Sequence, residues 1–206
     1  MEKQQKIWRY LIMDLEMTGL NPFQHGVIEV GMMVMDDKFE IIGEFFMDLC
    51  PPPNIIIDQE ALKYNGFTLE RIAHGKSYEE FTEFFVQFLA AYFPNDEKPI
   101  IVGQYVTADL SFLASVFHHA RRNSVYLKLG NDIIDTKSIA NVRNAVARYH
   151  DQEIPHKSTS LSKPGGLAEY LGVSEYKAHT ARGDILATRE VLIKFLKLEG
   201  GCITQN

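Results

Sequence analysis

Tyr10 to Asn21, YLIMDLEMTGLN, is the stretch on which the fold turns. The apolar run Leu11-Ile12-Met13 enters Asp14-Leu15-Glu16-Met17 and stops at Thr18-Gly19. This pattern predicts a strand buried on both faces of a helix-covered sheet. Side chains alternate along a strand, so Asp14 and Glu16 share one side, roughly 6.6 Å apart along the backbone. Two carboxylates crowded at the end of a buried strand repel each other and are costly to desolvate. A divalent cation between them relieves both penalties. For an isolated Asp-x-Glu, solvated acids at an exposed strand end are the better explanation, so the motif asks for partners elsewhere.

The 206 residues suit one domain, 1–206, with its core at about 8–198. A hydrophobic share of 46% with 23% charged residues is that of an ordinary soluble globular protein. Cys50 beside three prolines and Cys202 in the tail offer no disulfide framework and fit a reducing compartment. The opening MEKQQKIWRY lacks the apolar core of a signal peptide, and no apolar run is long enough to span a bilayer. The expectation is a cytoplasmic protein with no membrane partner. A net charge of −6 argues against coating long nucleic acid by bulk electrostatics. It leaves room for handling a short strand end, where bound cations and local basic patches carry the contact.

Downstream of the turn at Asn21-Pro22, Val27 to Met35 reads as a second buried strand and Phe39 to Leu49 as a third. With Asp36-Asp37-Lys38 as a tight turn, the three form an antiparallel meander. Glu29 inside the second strand reads as a hydrogen-bonded structural acid. Asp58 to Asn65 predicts a short helix closed by Gly66, and Ser77 with Glu80 forms a capping box for the next. Phe81, Phe84, Phe85, Phe88, Leu89 and Tyr92 recur there at helical spacing, a pattern read as core rather than as a base-stacking platform.

Pro99 to Gly103 is a short apolar strand, followed by a helix from about Ala108 to Arg122 with Asp109, Leu113, Val116 and Ala120 facing inward. An acid in a first helical turn is ordinary on dipole grounds. Directly after a buried strand it also stands where open α/β sheets bind ligands. After a strand over Asp132 to Asp135, the helix Thr136 to Tyr149 is expected to turn Ile139, Val142 and Val146 inward. Lys137, Asn141, Asn144 and Arg148 then line its other side. Arg143, His150, His156, Lys157 and Lys163 make this region basic. A solvated face and a phosphate-binding surface explain it equally well. Residues 150–166 read as a loop, and Leu167 to Leu171 as a short helix ended by Gly172.

His179-Thr-Ala-Arg-Gly-Asp184 opens a last helix in which Asp184 shares a packed face with Thr188, Val191 and Phe195. An unpaired carboxylate there would be expensive. Asp14, Glu16, Asp109 and Asp184 thus each stand at an element end or on an inward face. Hard oxygen ligands without Cys suit Mg²⁺ or Mn²⁺, and such clusters hold two ions for in-line phosphoryl displacement. A neutral imidazole such as that of His179 takes a proton from an attacking water.

These residues resemble the DEDD-type 3′→5′ exonucleases of the histidine subgroup, which includes ribonuclease T, oligoribonuclease and the proofreading subunit of bacterial DNA polymerase III. Asp14-Leu-Glu-Met-Thr-Gly-Leu20 looks like the family's first motif and is especially close to that of oligoribonuclease. Asp109 in VGQYVTADLSFL matches the second, and His179 with Asp184 in HTARGD matches the third. EALKYNG (Glu60 to Gly66) and the Asp135-Thr136 step also look like family features. The resemblance spans Tyr10 to about Phe195.

It implies an α/β, ribonuclease H-like fold: a mixed five-stranded sheet with helices on both faces, consistent with the element order above. It also implies roles. Asp14 would bridge two Mg²⁺ ions, Mn²⁺ substituting. Glu16 and Asp184 would hold the ion that binds the attacking water, Asp109 the other, and His179 would be the general base. Met17, Thr18, Gly19 and Leu20 would contact the terminal nucleotide through backbone groups and an apolar wedge. Gln104-Tyr105 and Ala108 depart from the family, where many relatives carry His-Asn and an aromatic before the second-motif aspartate. The expected substrate is the 3′ end of single-stranded RNA or DNA, short RNA favoured by the first motif. A DNA exonuclease or polymerase proofreader is the alternative within this chemistry, and a catalytically silent nucleic-acid-binding module the alternative outside it. The resemblance suggests a homodimer; composition does not show one.

Overall fold

The strand that carries Asp14 and Glu16 is the middle one of five. The structure, a computed structural model, describes residues 8–174 and 176–203, with side chains described to residue 198. Residues 1–7 and the Cys202 side chain, read above for targeting and cysteine usage, lie outside them. In chain order the elements are β1 (Tyr10–Met17), β2 (Val27–Met35), β3 (Ile41–Asp48), α1 (Gln59–Asn65), α2 (Leu69–Ala73) and α3 (Tyr78–Tyr92). Then come β4 (Ile100–Gly103), α4 (Val106–His119), a 3₁₀ turn (Asn123–Lys128), β5 (Ile133–Asp135), α5 (Thr136–Tyr149), α6 (Leu167–Tyr170) and α7 (Ala181–Ile203).

The sheet order is β3-β2-β1-β4-β5. β1, β2 and β3 form the antiparallel meander, while β4 and β5 run parallel to β1. Leu11, Met13 and Leu15 face a core with Phe81, Phe85 and Phe117 from α3 and α4. Ile12 faces the opposite layer, with Ile185 and Leu192 of α7. Helices therefore cover both faces in the ribonuclease H-like arrangement, and alternation puts Asp14 and Glu16 on the α7 side.

Local signals act as their chemistry dictates. Asp58 caps α1, Gly66 closes it at φ +72°, and Ser77 and Glu80 make both bonds of the capping box. Two predicted faces need correction. Phe84 on α3 is exposed, although Phe81, Phe85 and Leu89 are buried. On α5, Val142 and Val146 are exposed and the buried face is Thr136, Ala140, Asn144 and Ala147. Ala140 there joins Ala187 and Val191 of α7 in one cluster, with Ile139 packed against it. The Asn144 amide, expected on the outer side, is satisfied by clasping the backbone of His156, donating to its O at 2.8 Å and accepting from its N–H at 3.0 Å. Hydrophobicity alone selects the wrong face when the buried one is built from alanines and one bonded amide. The sequence reading has no counterpart for the short helix α2, which Thr68 caps by accepting the Arg71 N–H.

Candidate active site

Asp14 stands opposite Gly31 of β2, and Glu16 opposite Glu29. A side chain at position 31 would meet Ala181 and Ile185 at 2.8 Å, so the glycine lets the start of α7 settle over β1 and β2. Glu29 fixes that approach by accepting the Ala181 N–H at 3.1 Å, and Arg71 pairs with it at 3.0 Å. Glu29 is thus the hydrogen-bonded structural acid expected. Docked this way, α7 brings Asp184 to β1: Asp14, Glu16 and Asp184 each offer an oxygen within 4.8 Å of the others.

Asp109 arrives from the opposite layer. Buried in the first turn of α4, it accepts the Leu15 N–H at 3.1 Å and repels Asp14, but lies outside the tight trio. α4 is held in turn by Asp135, which accepts the Val106 N–H at 3.0 Å while capping α5 through Ser138.

This density of buried carboxylates resists ionisation. Burial, then repulsion from Asp109, Asp184, Glu16 and Glu29, holds Asp14 well above the ordinary carboxylate range. Burial and the neighbouring acids push Glu16 up to about 8, and burial alone dominates in raising Asp109 to about 8. Asp184 is raised by burial against the lowering bond from His179. Its Oδ2 accepts the His179 N–H at 3.0 Å, whereas its buried Oδ1 has no hydrogen-bond partner among the described residues. An orphaned carboxylate oxygen beside two further acids is a vacancy in bonding that a hard divalent cation satisfies. The donor set fits such an ion, with Asp14, Glu16 and Asp184 as its first candidates and Asp109 adjoining.

Asp14, Asp184 and His179 line a cleft of about 470 Å³. Its remaining wall was only partly legible. Tyr64 of α1 lies there, as do Tyr105, Lys137, Lys163 and the hydroxyls of residues 158–160. The Lys137 ammonium sits 4.1 Å over the Tyr105 ring, and Gln104 ties the wall together by donating to Thr159 O at 2.8 Å. Of the basic stretch, Lys137 and Lys163 therefore face the acids, whereas Lys157 is exposed beside Glu153. His156 is buried against Tyr170 and Phe195, and burial lowers its pKa, so it adds no positive charge to that stretch.

The first-motif loop also differs from expectation. Thr18 is buried; its hydroxyl donates to Ile56 O at 2.6 Å and accepts from Gly26 N–H, and its backbone groups bond Gly26 and Asp58. Its polar groups hold the loop and are not offered to a ligand. Gly19 is packed against the His25 ring, and Met17 O accepts from Asn65 at 3.1 Å. Leu20, 97% exposed on this braced loop, is the side chain available as a wedge.

Comparison with known proteins agrees with this geometry. The chain is 25% identical to a DNA polymerase III PolC-type protein of Thermotoga petrophila over 92% of its own length, but spans only 12% of that relative. It is 30% identical to an oligoribonuclease of Actinobacillus succinogenes over 141 residues, 62% of this chain and 74% of the relative. Among solved structures, Escherichia coli exonuclease I in complex with a dT13 oligonucleotide superposes with a TM-score of 0.71 at 18% identity, covering 92% of this chain and 41% of the other. Residues 11–192, which contain every acid of the cluster and His179, match the RNase T exonuclease family, and the chain belongs to that family.

Proposed function

We propose that this chain, as one domain over 1–206, is a metal-dependent 3′→5′ exonuclease releasing nucleoside 5′-monophosphates from single-stranded nucleic acid. The observation that carries the reading is the convergence of Asp14, Glu16 and Asp184 within 4.8 Å, with one buried oxygen left unpartnered among the described residues. Mg²⁺ is the proposed ion and Mn²⁺ its substitute, because every donor is a carboxylate oxygen. When bound, such ions would polarise the phosphodiester and make a nearby water easier to deprotonate.

The chain's own residues do the rest. His179, anchored through its backbone to Asp184, takes the proton from the attacking water. Asp109, tied to Leu15 and adjoining Asp14, would hold the second ion. Leu20 packs against the terminal base, and Lys137 and Lys163 attract the strand in a chain that is otherwise acidic. A reducing, cytoplasmic setting and a homodimer belong to the same proposal.

Short RNA is the favoured substrate, supported by the first motif and by the oligoribonuclease relative. A DNA-directed activity is the second reading, supported by the polymerase relative matched along 92% of this chain. End-labelled RNA and DNA strands of several lengths, digested in Mg²⁺, separate the two. Mononucleotide release that persists in Asp184→Ala would count against the assignment, and binding without cleavage in Mn²⁺ would point to a silent binding module.

A further inference from the structure

His179 sits just ahead of α7 in the left-handed region, φ +62°, a conformation that a residue with a side chain keeps only where its surroundings impose it. Two sets of bonds impose it here. The His179 N–H donates to Asp184 Oδ2 at 3.0 Å, but that oxygen belongs to the acidic cluster and is itself a candidate ligand for a cation. The second set bypasses the cluster. Thr180 Oγ1 donates to Lys177 O at 2.9 Å and accepts the Gly183 N–H at 3.2 Å, so one hydroxyl joins the chain before His179 to the first turn of α7. We infer that Thr180 is a positioning residue for His179: its hydroxyl staples the turn 177–180 onto the start of α7 and so fixes where the imidazole stands. The inference rests on the reading of His179 as general base.

The seat for this staple is Gly183. A Cβ at that position would collide with Lys177 O and stand 2.8 Å from Thr180 Oγ1, so the turn rests directly on a bare α-carbon. The staple matters to His179 more than to the acids. Asp184 is held in α7 without it, by its own N–H donating to Thr180 O at 2.9 Å and by the buried neighbours Ile185 and Ala187. His179 lies outside the helix and is only half-buried, so its place depends on the turn that carries it. Removing the hydroxyl therefore loosens the imidazole and leaves the carboxylates where they are. Loss of a helix-capping hydroxyl shifts a local equilibrium about two- to thirtyfold.

The test compares wild type, Thr180→Ala, Thr180→Ser and Gly183→Ala on one oligonucleotide in Mg²⁺. Thr180→Ala is expected to lower kcat about two- to thirtyfold, with KM and Mn²⁺ affinity within about twofold. Thr180→Ser should restore kcat, because it keeps the hydroxyl that makes both bonds. In a His179→Ala background, Thr180→Ala should add no further loss. Amide hydrogen exchange supplies a readout independent of turnover: the His179 N–H should exchange faster in Thr180→Ala and at the wild-type rate in Thr180→Ser. A raised KM with unchanged kcat would make Thr180 a substrate contact and overturn the inference. So would unaltered exchange at His179, a loss of Mn²⁺ affinity, or a serine variant as slow as the alanine one. Gly183→Ala keeps the hydroxyl but unseats the turn, so it too should lose kcat; a wild-type kcat there would overturn the inference even if Thr180→Ala failed to fold. A wild-type protein that cleaves no oligonucleotide would instead overturn the nuclease reading, with the exchange result still reporting on the turn.

Discussion

Asp14 is the residue under the greatest strain, half-buried among four acids that all raise its pKa. Removing its charge isosterically should relieve the metal-free protein while destroying its cation site. Asp14→Asn is therefore expected to raise the melting temperature in EDTA, abolish the stabilisation by Mg²⁺ and eliminate turnover. Calorimetry with and without the ion checks the first two, and a variant less stable than wild type in EDTA would contradict the repulsion argument. His179 tests the opposite property, chemistry without coordination. His179→Ala should keep Mn²⁺ binding and lose about 10²–10⁴-fold in kcat, the range for a positioned general base. An unchanged rate would remove His179 from the mechanism.

At the scale of elements, the cleft depends on how α5 holds the segment that follows it. Asn144, buried on α5, makes both hydrogen bonds to the His156 backbone, and the cleft wall at residues 158–163 begins two residues later. Asn144→Ala leaves a buried N–H and a buried carbonyl without partners, a cost of about 1–3 kcal/mol for such groups. Urea unfolding should show that loss. Because Lys163 sits on the loosened wall, KM for oligonucleotides should rise more than kcat falls. Stability and KM both at wild-type values would show that the clasp does not support the wall.

Across the whole molecule, the raised carboxylates make stability depend on pH in a direction set by their shifts. Glu16 and Asp109 fold with pKa values of about 8, above their unfolded values near 4, so the fold favours their protonated forms. Their contribution is fully present below about pH 4 and is lost as pH rises through about 8, at up to roughly 1.4 kcal/mol per unit for each group. His156 acts oppositely: burial depresses its pKa, so its contribution is present above about 6.5 and lost below it. Between pH 6.5 and 8 the acids dominate, and metal-free protein should melt progressively lower. A divalent cation supplies the charge that ionisation requires, so the upshift on adding Mg²⁺ should be larger at pH 8 than at pH 6.5. Equal upshifts at the two pH values would argue against a cation among these acids.

The sequence by itself determined the elements and the acids. Periodicity marked β1, β2 and α5 to within a residue or two, caps marked α1 and α3, and burial of charge marked Asp14, Glu16, Asp109 and Asp184. These signals are local, because alternation, helical spacing and capping act within a few residues. Tertiary structure alone decided which acids converge. Gly31 admits α7 against β2, drawing Asp184 to Asp14 and Glu16, while Asp109 reaches Asp14 from α4, held by the Leu15 N–H. It also decided that α5 buries Asn144 rather than Val142, that Thr18 is spent on its own loop, and that Tyr64 meets His179. Each of these depends on the distance between chain segments remote in sequence, and a one-dimensional pattern carries no measure of that distance.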